Sequence, residues 1–377
     1  MSQDFMHLVL AADRKSMIAG RNLLTGIMIL MLGPVGWTHA AQPDPPGAVT
    51  PADPGADRDA RIATGPGTED PRLRTLLEKA RAGDPAAQYA LGEKFENAEG
   101  AALDPAAAAR WYRLAAEQGH TKAQLNLGAL YENGEGVERD LGEAARWYAQ
   151  AAAAGEVLAQ LTLGLLYREG RGVPVDYGEA VRWFRAVADQ GFAIGQINLA
   201  FMYLDGLGVE RDDAQAAALM SQAAERGHPV AENNLGLLYA AGRGVPRDPE
   251  LAAQWHERAA SRGLANAQYH MGLRYERGQG VPRDDIAAAH WYRRAAEQGE
   301  VAAQTNLGLM YRDGRGVPQD DALAYAWLSL AAATDDRAGR ARAELISRMS
   351  EAEIAAAEAQ TAALAKLGPE APWSDSR

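Results

Sequence analysis

The 377-residue chain contains no cysteine. This absence excludes disulfide bridges, thiolate metal sites, a catalytic cysteine and a lipidated N-terminal cysteine. Aromatic residues make up only 7% of the chain while alanine is abundant, which favours thin packing of helix on helix over a deep globular core. The net charge is −12, which argues against a nucleic-acid partner because such partners require a basic surface.

Motifs for nucleophilic catalysis are also missing. The chain has no Gly-x-Ser-x-Gly and no Ser-x-x-Lys sequence. Its glycine-rich loops lack the Lys-Ser/Thr pair and the preceding strand of a phosphate-binding loop. We therefore expect no enzyme activity and no cofactor.

A metal site is not expected either. The histidines outside the N-terminal segment form no His-x-x-x-His pair, and we interpret them as partly exposed helix residues. His256, His270 and His290 lie in successive predicted helices, and their convergence on a metal is the alternative. The five histidines are His120, His228, His256, His270 and His290.

The dominant feature of the chain is a repeat of 36 residues. A fixed period of this length is typical of a solenoid. One copy, from Ala123 to Gly155, has the sequence AQLNLGALYENGEGVERDLGEAARWYAQAAAAG. The first glutamine of the copies lies at Gln88, Gln124, Gln160, Gln196, Gln268 and Gln304, with Glu232 at the one missing step.

The first half of each copy predicts a helix. Ala123, Leu127 and Tyr131 are spaced four apart, which places them on one helical face. Gly128 lies beside this stripe. Since a glycine inside a helix costs up to about 1 kcal/mol relative to alanine, it indicates the close approach of a neighbouring helix.

The second half predicts another helix after a glycine-containing turn at residues 133–137. Asp140, with Glu143 three residues later, predicts an N-cap and its capping-box partner. The Asp-Asp pairs at 212–213, 284–285 and 320–321 have the same phase and are interpreted as helix caps rather than catalytic carboxylates. The apolar stripe of the second helix is Ala144, Trp147, Tyr148, Ala151 and Ala152.

The pattern AxAQxxLGxxYxxGxGVxxDxxxAxxWYxxAAxxG resembles the Sel1-like repeat family, a relative of the tetratricopeptide repeat. The match covers residues 84–335 in seven tandem copies. The resemblance implies an all-α, right-handed superhelical solenoid of helix–turn–helix units that share a core with their neighbours. Local departures are Phe95 for tyrosine, Leu219-Met220 for the aromatic pair and Asp335 for the closing glycine.

The segments outside the repeats have distinct patterns. Residues 1–41 carry basic residues, an apolar run and a small-residue cleavage site, and predict a signal peptide. An uncleaved membrane anchor is the alternative, although the apolar run is shorter than the ~20 residues that span a bilayer; a start at Met17 would give a conventional signal length. Residues 42–71 predict a disordered linker, 72–83 an N-terminal capping helix, 336–367 C-terminal capping helices with a capping box at Ser350 and Glu353, and 368–377 a tail.

One polar position recurs in the first helices. In tetratricopeptide-like stacks these helices line the concave face, so side-chain amides there could bind a peptide backbone. Alternatively, the amides brace the neighbouring helix. The residues at this position are Asn126, Asn198, Asn234, His270 and Asn306. The variable positions expected to be exposed beside them are Leu125, Leu161, Ile197, Tyr269 and Thr305.

The resemblance implies a non-catalytic scaffold that binds a protein or peptide on the concave face, in envelope signalling or assembly. A membrane sensor or an envelope enzyme is the expected kind of partner. We expect the chain itself to contact the membrane only through its N-terminal segment. The expected location is periplasmic or secreted, with anchoring in the inner membrane as the alternative. The alternative function is a cell-wall-linked enzyme or ligand binder, such as a peptidoglycan or β-lactam hydrolase, and the missing motifs argue against it.

Overall fold

The computed structural model describes residues 71–97 and 103–366, which form seventeen helices and contain no strand. The predicted signal segment, the tail, and all of the linker but Pro71 lie outside these residues, as does most of the first copy's loop. The helices are α1 (Pro71–Arg81), α2 (Pro85–Asn97), α3 (Pro105–Glu117), α4 (Thr121–Asn133), α5 (Leu141–Ala153), α6 (Val157–Glu169), α7 (Tyr177–Asp189), α8 (Ala193–Asp205), α9 (Asp213–Glu225), α10 (Pro229–Ala241), α11 (Pro249–Ser261), α12 (Ala265–Arg277), α13 (Asp285–Glu297), α14 (Val301–Asp313), α15 (Asp321–Ala331), α16 (Asp336–Ile346) and α17 (Glu351–Leu364).

The helices pair in chain order as predicted, so the all-α architecture of helix–turn–helix repeats is confirmed. Each pair, from α2 with α3 to α14 with α15, is one repeat, and each second helix also packs on the first helix of the next repeat within its unit. The described helices belong to two compact units, one ending at Val187 and the other beginning at Ala188. The boundary falls within α7.

In five repeats the glycine inside the first helix lies under an aromatic ring of the second helix, whereas Leu328 covers Gly308 in the seventh repeat. A Cβ placed on Gly128 would lie 2.8 Å from Cδ1 and Cε1 of Tyr148, which is itself fully buried. Phe184 covers Gly164 in the same way, with 2.6 Å between the added Cβ and the ring. The predicted close approach of the two helices is therefore confirmed, because any side chain at this position would push the ring away.

In five of the loops the second glycine lies against the preceding repeat. Gly172 has a φ of +71°, in the left-handed region. A Cβ there would lie 2.8 Å from the Leu141 Cβ and closer still to the Leu141 carbonyl group, where α5 begins. Glycine is thus required both by the backbone conformation and by the lack of space. The same contact is made by Gly136, Gly244, Gly280 and Gly316.

A tyrosine, a glutamate and an arginine join neighbouring repeats. Tyr148 Oη donates to Glu132 at 2.8 Å, and Arg171 from the next loop donates to the same carboxylate at 2.5 Å. Tyr292, Glu276 and Arg315 repeat the arrangement, at 2.7 and 2.9 Å. The hydroxyl and the guanidinium together satisfy a carboxylate that is mostly shielded from water.

The first repeat has an incomplete version of this arrangement. Tyr112 donates to Glu96 at 2.5 Å, but Glu135 occupies the loop position that holds Arg171 in the following repeat and Arg315 in the seventh. Burial raises the pKa of Glu96, the Tyr112 hydroxyl opposes this shift, and the negative charges of Glu135 and Glu93 add to it. Two carboxylates therefore face each other where the next repeat has an ion pair.

The aspartate caps are confirmed, but the capping-box partner predicted at Glu143 is wrong. The Asp140 side chain accepts from the backbone N–H groups of Gly142 and Glu143, at 2.9 and 3.0 Å. The Asp140 N–H is already donated to the carbonyl of Tyr131 at 2.9 Å. Glu143 pairs instead with Arg146. Asp212, Asp284 and Asp320 are N-caps as predicted.

In five repeats the recurrent glutamine bonds the first helix to the end of the preceding helix. Gln124 is buried, and its Nε2 donates to the Ala116 carbonyl at 3.1 Å. Glu232 replaces this glutamine in the fifth repeat and is fully buried. Its carboxylate instead accepts from Arg258 at 3.1 Å and from Arg262 at 3.2 Å.

The terminal helices cover the ends of their units. Helix α1 buries Leu73, Leu77 and Ala80. Helix α17 begins at the Ser350–Glu353 capping box, which is confirmed in full. Helix α17 packs on α15.

Candidate protein-binding face

The residues at the recurrent polar position lie on the first helices, and four of the five belong to the unit that begins at Ala188. We call these four residues the amide row. Each is half-buried, so one side of the residue packs on the protein while the other meets solvent. The amide row consists of Asn198, Asn234, His270 and Asn306.

Two members of the amide row bond to their own helix. Asn198 Nδ2 donates to the Ile194 carbonyl and Asn234 Nδ2 donates to the Val230 carbonyl, both at 2.8 Å. Within the described part of the chain, Asn234 Oδ1 accepts no hydrogen bond from the protein. An amide oriented in this way presents an acceptor to a ligand, since its carbonyl oxygen has two lone pairs.

The other two members are engaged by neighbouring repeats. Asn306 Oδ1 accepts a hydrogen bond from Arg337 of α16. The His270 ring stacks on the buried ring of His256, with 5.0 Å between centroids. The row is therefore not a uniform series of amides, because each copy places the group in a different local environment.

Asn126, in the unit that ends at Val187, lies beside two tyrosine hydroxyls. Burial raises the pKa of Tyr89 and of Tyr112 above the ordinary range, and the Asn126 amide acts in the opposite direction on both. Here the amide contacts the neighbouring helix, which is the bracing arrangement that the sequence left open.

An apolar row, missed in the sequence, runs beside the amide row. Each of its members lies three residues after a member of the amide row and thus on the same helical face. Leu237 has 36% of its surface exposed, and the others are half-buried. The recurring apolar residue after the glycine was visible in the sequence and could have revealed it. The apolar row consists of Phe201, Leu237, Leu273 and Leu309.

The expectation that the variable positions are exposed is wrong at three of them. Leu161 and Ile197 are buried, and Thr305 is buried with its hydroxyl donated to Asp335 at 2.7 Å. Leu125 and Tyr269 are half-buried. Variation between copies at this position therefore reflects different packing partners rather than contact with solvent.

The histidines form no metal site in the described residues, where no group of three or more potential ligands converges. His256 and His270 touch, whereas His290 meets its own neighbour Trp291 edge-on at 5.8 Å. The interpretation of the histidines as partly exposed is wrong for His256, which is only 1% exposed. In the described part of the chain, no helix is both long and apolar enough to cross a membrane.

The repeated helix pairs, in which a glycine of the first helix lets the second helix pack closely, define a tandem helical-repeat protein. The Sel1 repeat family matches seven consecutive segments: 85–120, 121–156, 157–192, 193–228, 229–264, 265–300 and 301–336. The chain belongs to the Sel1 repeat family, whose solenoids are commonly protein-interaction scaffolds and typically non-catalytic.

Several solved structures are similar to the chain. A Sel1 repeat protein from Oxalobacter formigenes is 38% identical, with a TM-score of 0.67, over 76% of this chain and 85% of its own. A protective antigen of uropathogenic Escherichia coli strains is 25% identical, with a TM-score of 0.46, over 85% of this chain and 95% of its own. A Sel1 repeat protein from Klebsiella pneumoniae is 25% identical, with a TM-score of 0.35, over 54% and 98%. No curated protein sequence matches the chain.

Proposed function

We propose that the chain is a non-catalytic scaffold that binds an extended segment of a partner protein across the first helices of residues 188–377. The observation that carries this proposal is the pairing of the amide row with the apolar row. An extended peptide alternates its side chains and exposes its backbone groups, so it fits a surface on which polar groups and apolar side chains recur from repeat to repeat. Stacked repeats supply such surfaces.

We also propose that the partner is an envelope protein, such as a membrane sensor or an envelope enzyme, met in the periplasm or outside the cell. The support is the signal-like pattern of residues 1–41, with anchoring in the inner membrane as the alternative arrangement. The role as a cell-wall enzyme or ligand binder has no supporting observation. Retention of the purified chain on cell wall without any protein partner would favour that role.

Site-specific crosslinking tests the binding face first. A photo-reactive residue that replaces Leu237 of the apolar row should capture a partner. The same residue in place of Ile286 provides the control. Ile286 is 71% exposed but lies on a second helix, α13. Equal capture at both positions would contradict binding on the first helices.

Affinity for the captured partner segment then tests the amide row. Asn198→Ala with Asn234→Ala should weaken binding about 5- to 150-fold, because two hydrogen bonds contribute about 0.5–1.5 kcal/mol each. The matched control is Gln215→Ala with Gln254→Ala, which removes two exposed amides from second helices of the same two repeats. Circular dichroism should show unchanged helix content in both variants. Unchanged affinity in the asparagine variant would overturn the role of the row.

A further inference from the structure

The contact between α11 and α12 differs chemically from the equivalent contacts in the other repeats. His256 occupies the place of Tyr148 and Tyr292, under which the first-helix glycine lies. Arg274 occupies a buried position that is Leu130 in α4 and a methionine in α14. A tyrosine and an apolar residue are thus replaced together by a histidine and an arginine.

These two residues bond directly to each other in a dry environment. Arg274 Nε donates to His256 Nδ1 at 2.8 Å, and Nη1 donates to the carbonyls of Gln279 at 3.2 Å and Pro249 at 3.4 Å. His256 is 1% exposed and Arg274 is 5% exposed. Because a guanidinium has no acceptor and keeps its charge, His256 must be neutral, with Nδ1 unprotonated.

His270 completes the cluster from the same helix as Arg274. Its ring stacks on His256 at 5.0 Å and 24° between planes, and the ring of Tyr269 lies 5.4 Å from it between centroids. The charged or titratable groups that act on His256 are His270 and Arg274 of α12, while α10 presents Gly236 and the backbone of Asn233. The positive charge of Arg274 also lowers the pKa of His270. No carboxylate is among these groups in the described residues.

We propose that the contact between α11 and α12 is an acid-sensitive joint, which opens when His256 and His270 take up protons. A proton on His256 Nδ1 would occupy the site to which Arg274 donates, so their hydrogen bond would be lost. Three adjacent cations would then share a site without a counter-charge, which is strongly unfavourable away from water. Separation of the helices lets water reach the cluster and relieves this cost.

The direction of the pH dependence follows from linkage. Burial, then Arg274, lower the pKa of His270 to about 4, and burial, His270 and Arg274 hold the pKa of His256 well below its usual range. The opened state, with histidines near their ordinary pKa of about 6.5, therefore binds more protons. The joint is fully stable above about pH 6.5 and weakens as the pH falls from there towards 4. For His270 alone, the opening constant should rise roughly 30-fold at about pH 5.

Hydrogen exchange on the full chain measures this opening locally. Amides of α11 and α12, after correction for the intrinsic pH dependence of exchange, should exchange at least tenfold faster at about pH 5 than at about pH 7.5. Helices α14 and α15 pack without a histidine and provide the internal reference. Equal responses of the two helix pairs would overturn the proposal.

A variant assigns the response to the cluster. His256→Gln with His270→Asn removes both titrating rings but keeps an acceptor for Arg274, and it should abolish most of the acid response of α11 and α12. His228→Asn is the control, because His228 is also a histidine whose pKa is lowered by burial, at the start of α10. That control should keep the response. Persistence of the full response in the double variant would refute the assignment.

The wild-type chain provides a test that does not depend on the folding of a variant. The Cε1 proton resonances of His256 and His270 should titrate well below about pH 6.5 and together with the loss of α11–α12 protection. Titration of both rings near their ordinary value, with the helices still protected, would refute the joint. Hydrogen exchange and the histidine titration need no ligand, so both are independent of the proposed binding function.

Discussion

Alanine substitutions at the two glycines of one loop separate backbone conformation from contact between repeats. Gly170 and Gly172 both have a φ of +71°. The one close contact of an added Cβ at Gly170 is with Cγ2 of Val175, at 2.7 Å, since the nearest backbone atom is 3.5 Å away. Val175 is 53% exposed, so its side chain has room to turn away. At Gly172 the added Cβ meets the Cβ and the backbone of Leu141, which are fixed by α5.

The expected magnitudes follow from these surroundings. Gly170→Ala should cost about 1–2 kcal/mol of unfolding free energy, which is the cost of a left-handed conformation for a residue with a Cβ. Gly172→Ala has the same backbone cost and adds about 1–3 kcal/mol, because overpacking against fixed atoms forces the loop away from α5. The total for Gly172→Ala is then about 2–5 kcal/mol.

Urea unfolding followed by circular dichroism measures both variants, and hydrogen exchange locates the loss. Gly172→Ala should increase exchange at the start of α5 as well as in its own loop, whereas Gly170→Ala should affect its own loop alone. Since the stability of a repeat array is a sum of repeat and junction terms, a weaker junction should also broaden the unfolding transition. Equal losses in the two variants would show that the contact between repeats contributes nothing beyond the dihedral requirement.

Two further predictions concern charges. Glu135→Arg should raise the unfolding free energy by about 0.5–1 kcal/mol in thermal unfolding, because it gives Glu96 an ion-pair partner. If this gain in stability persists when Glu96 is replaced by glutamine, the ion pair is not its cause. Arg258→Ala with Arg262→Ala should cost about 3–5 kcal/mol in urea unfolding, because the buried Glu232 carboxylate loses both partners. Adding Glu232→Gln should recover most of that loss, and failure to recover would mean that the arginines stabilise the fold by other contacts.

The period and phase of the sequence were enough to predict the repeated helix pairs. Gly128 was predicted to allow close approach, and Tyr148 provides it. This prediction was possible because a glycine inside a helix is destabilising unless a neighbour needs the space. The capping-box partner at Glu143 could not be predicted from spacing alone. The backbone N–H that it needed is taken by Tyr131, a residue of the other helix in the repeat.

The candidate face was only partly predictable. The recurrent asparagines share one phase, so their common face followed from the period. The burial of Leu161, Ile197 and Thr305 did not, because it depends on the packing partners of each side chain, which the repeat period does not specify. The buried bond between His256 and Arg274 was equally hidden, since each residue alone resembles an ordinary surface substitution in the sequence.

The glutamate–arginine pairs between repeats have a consequence for how such a gene can change in length. Partners in each pair are separated by 39 residues, so recombination that copies or deletes one repeat always brings together residues that were not partners before. A chain in which the second repeat followed the sixth would place Glu135 against Glu276, where Arg315 now lies. The copies are therefore not interchangeable despite their shared period, because the order of the repeats determines which charged residues meet at each junction.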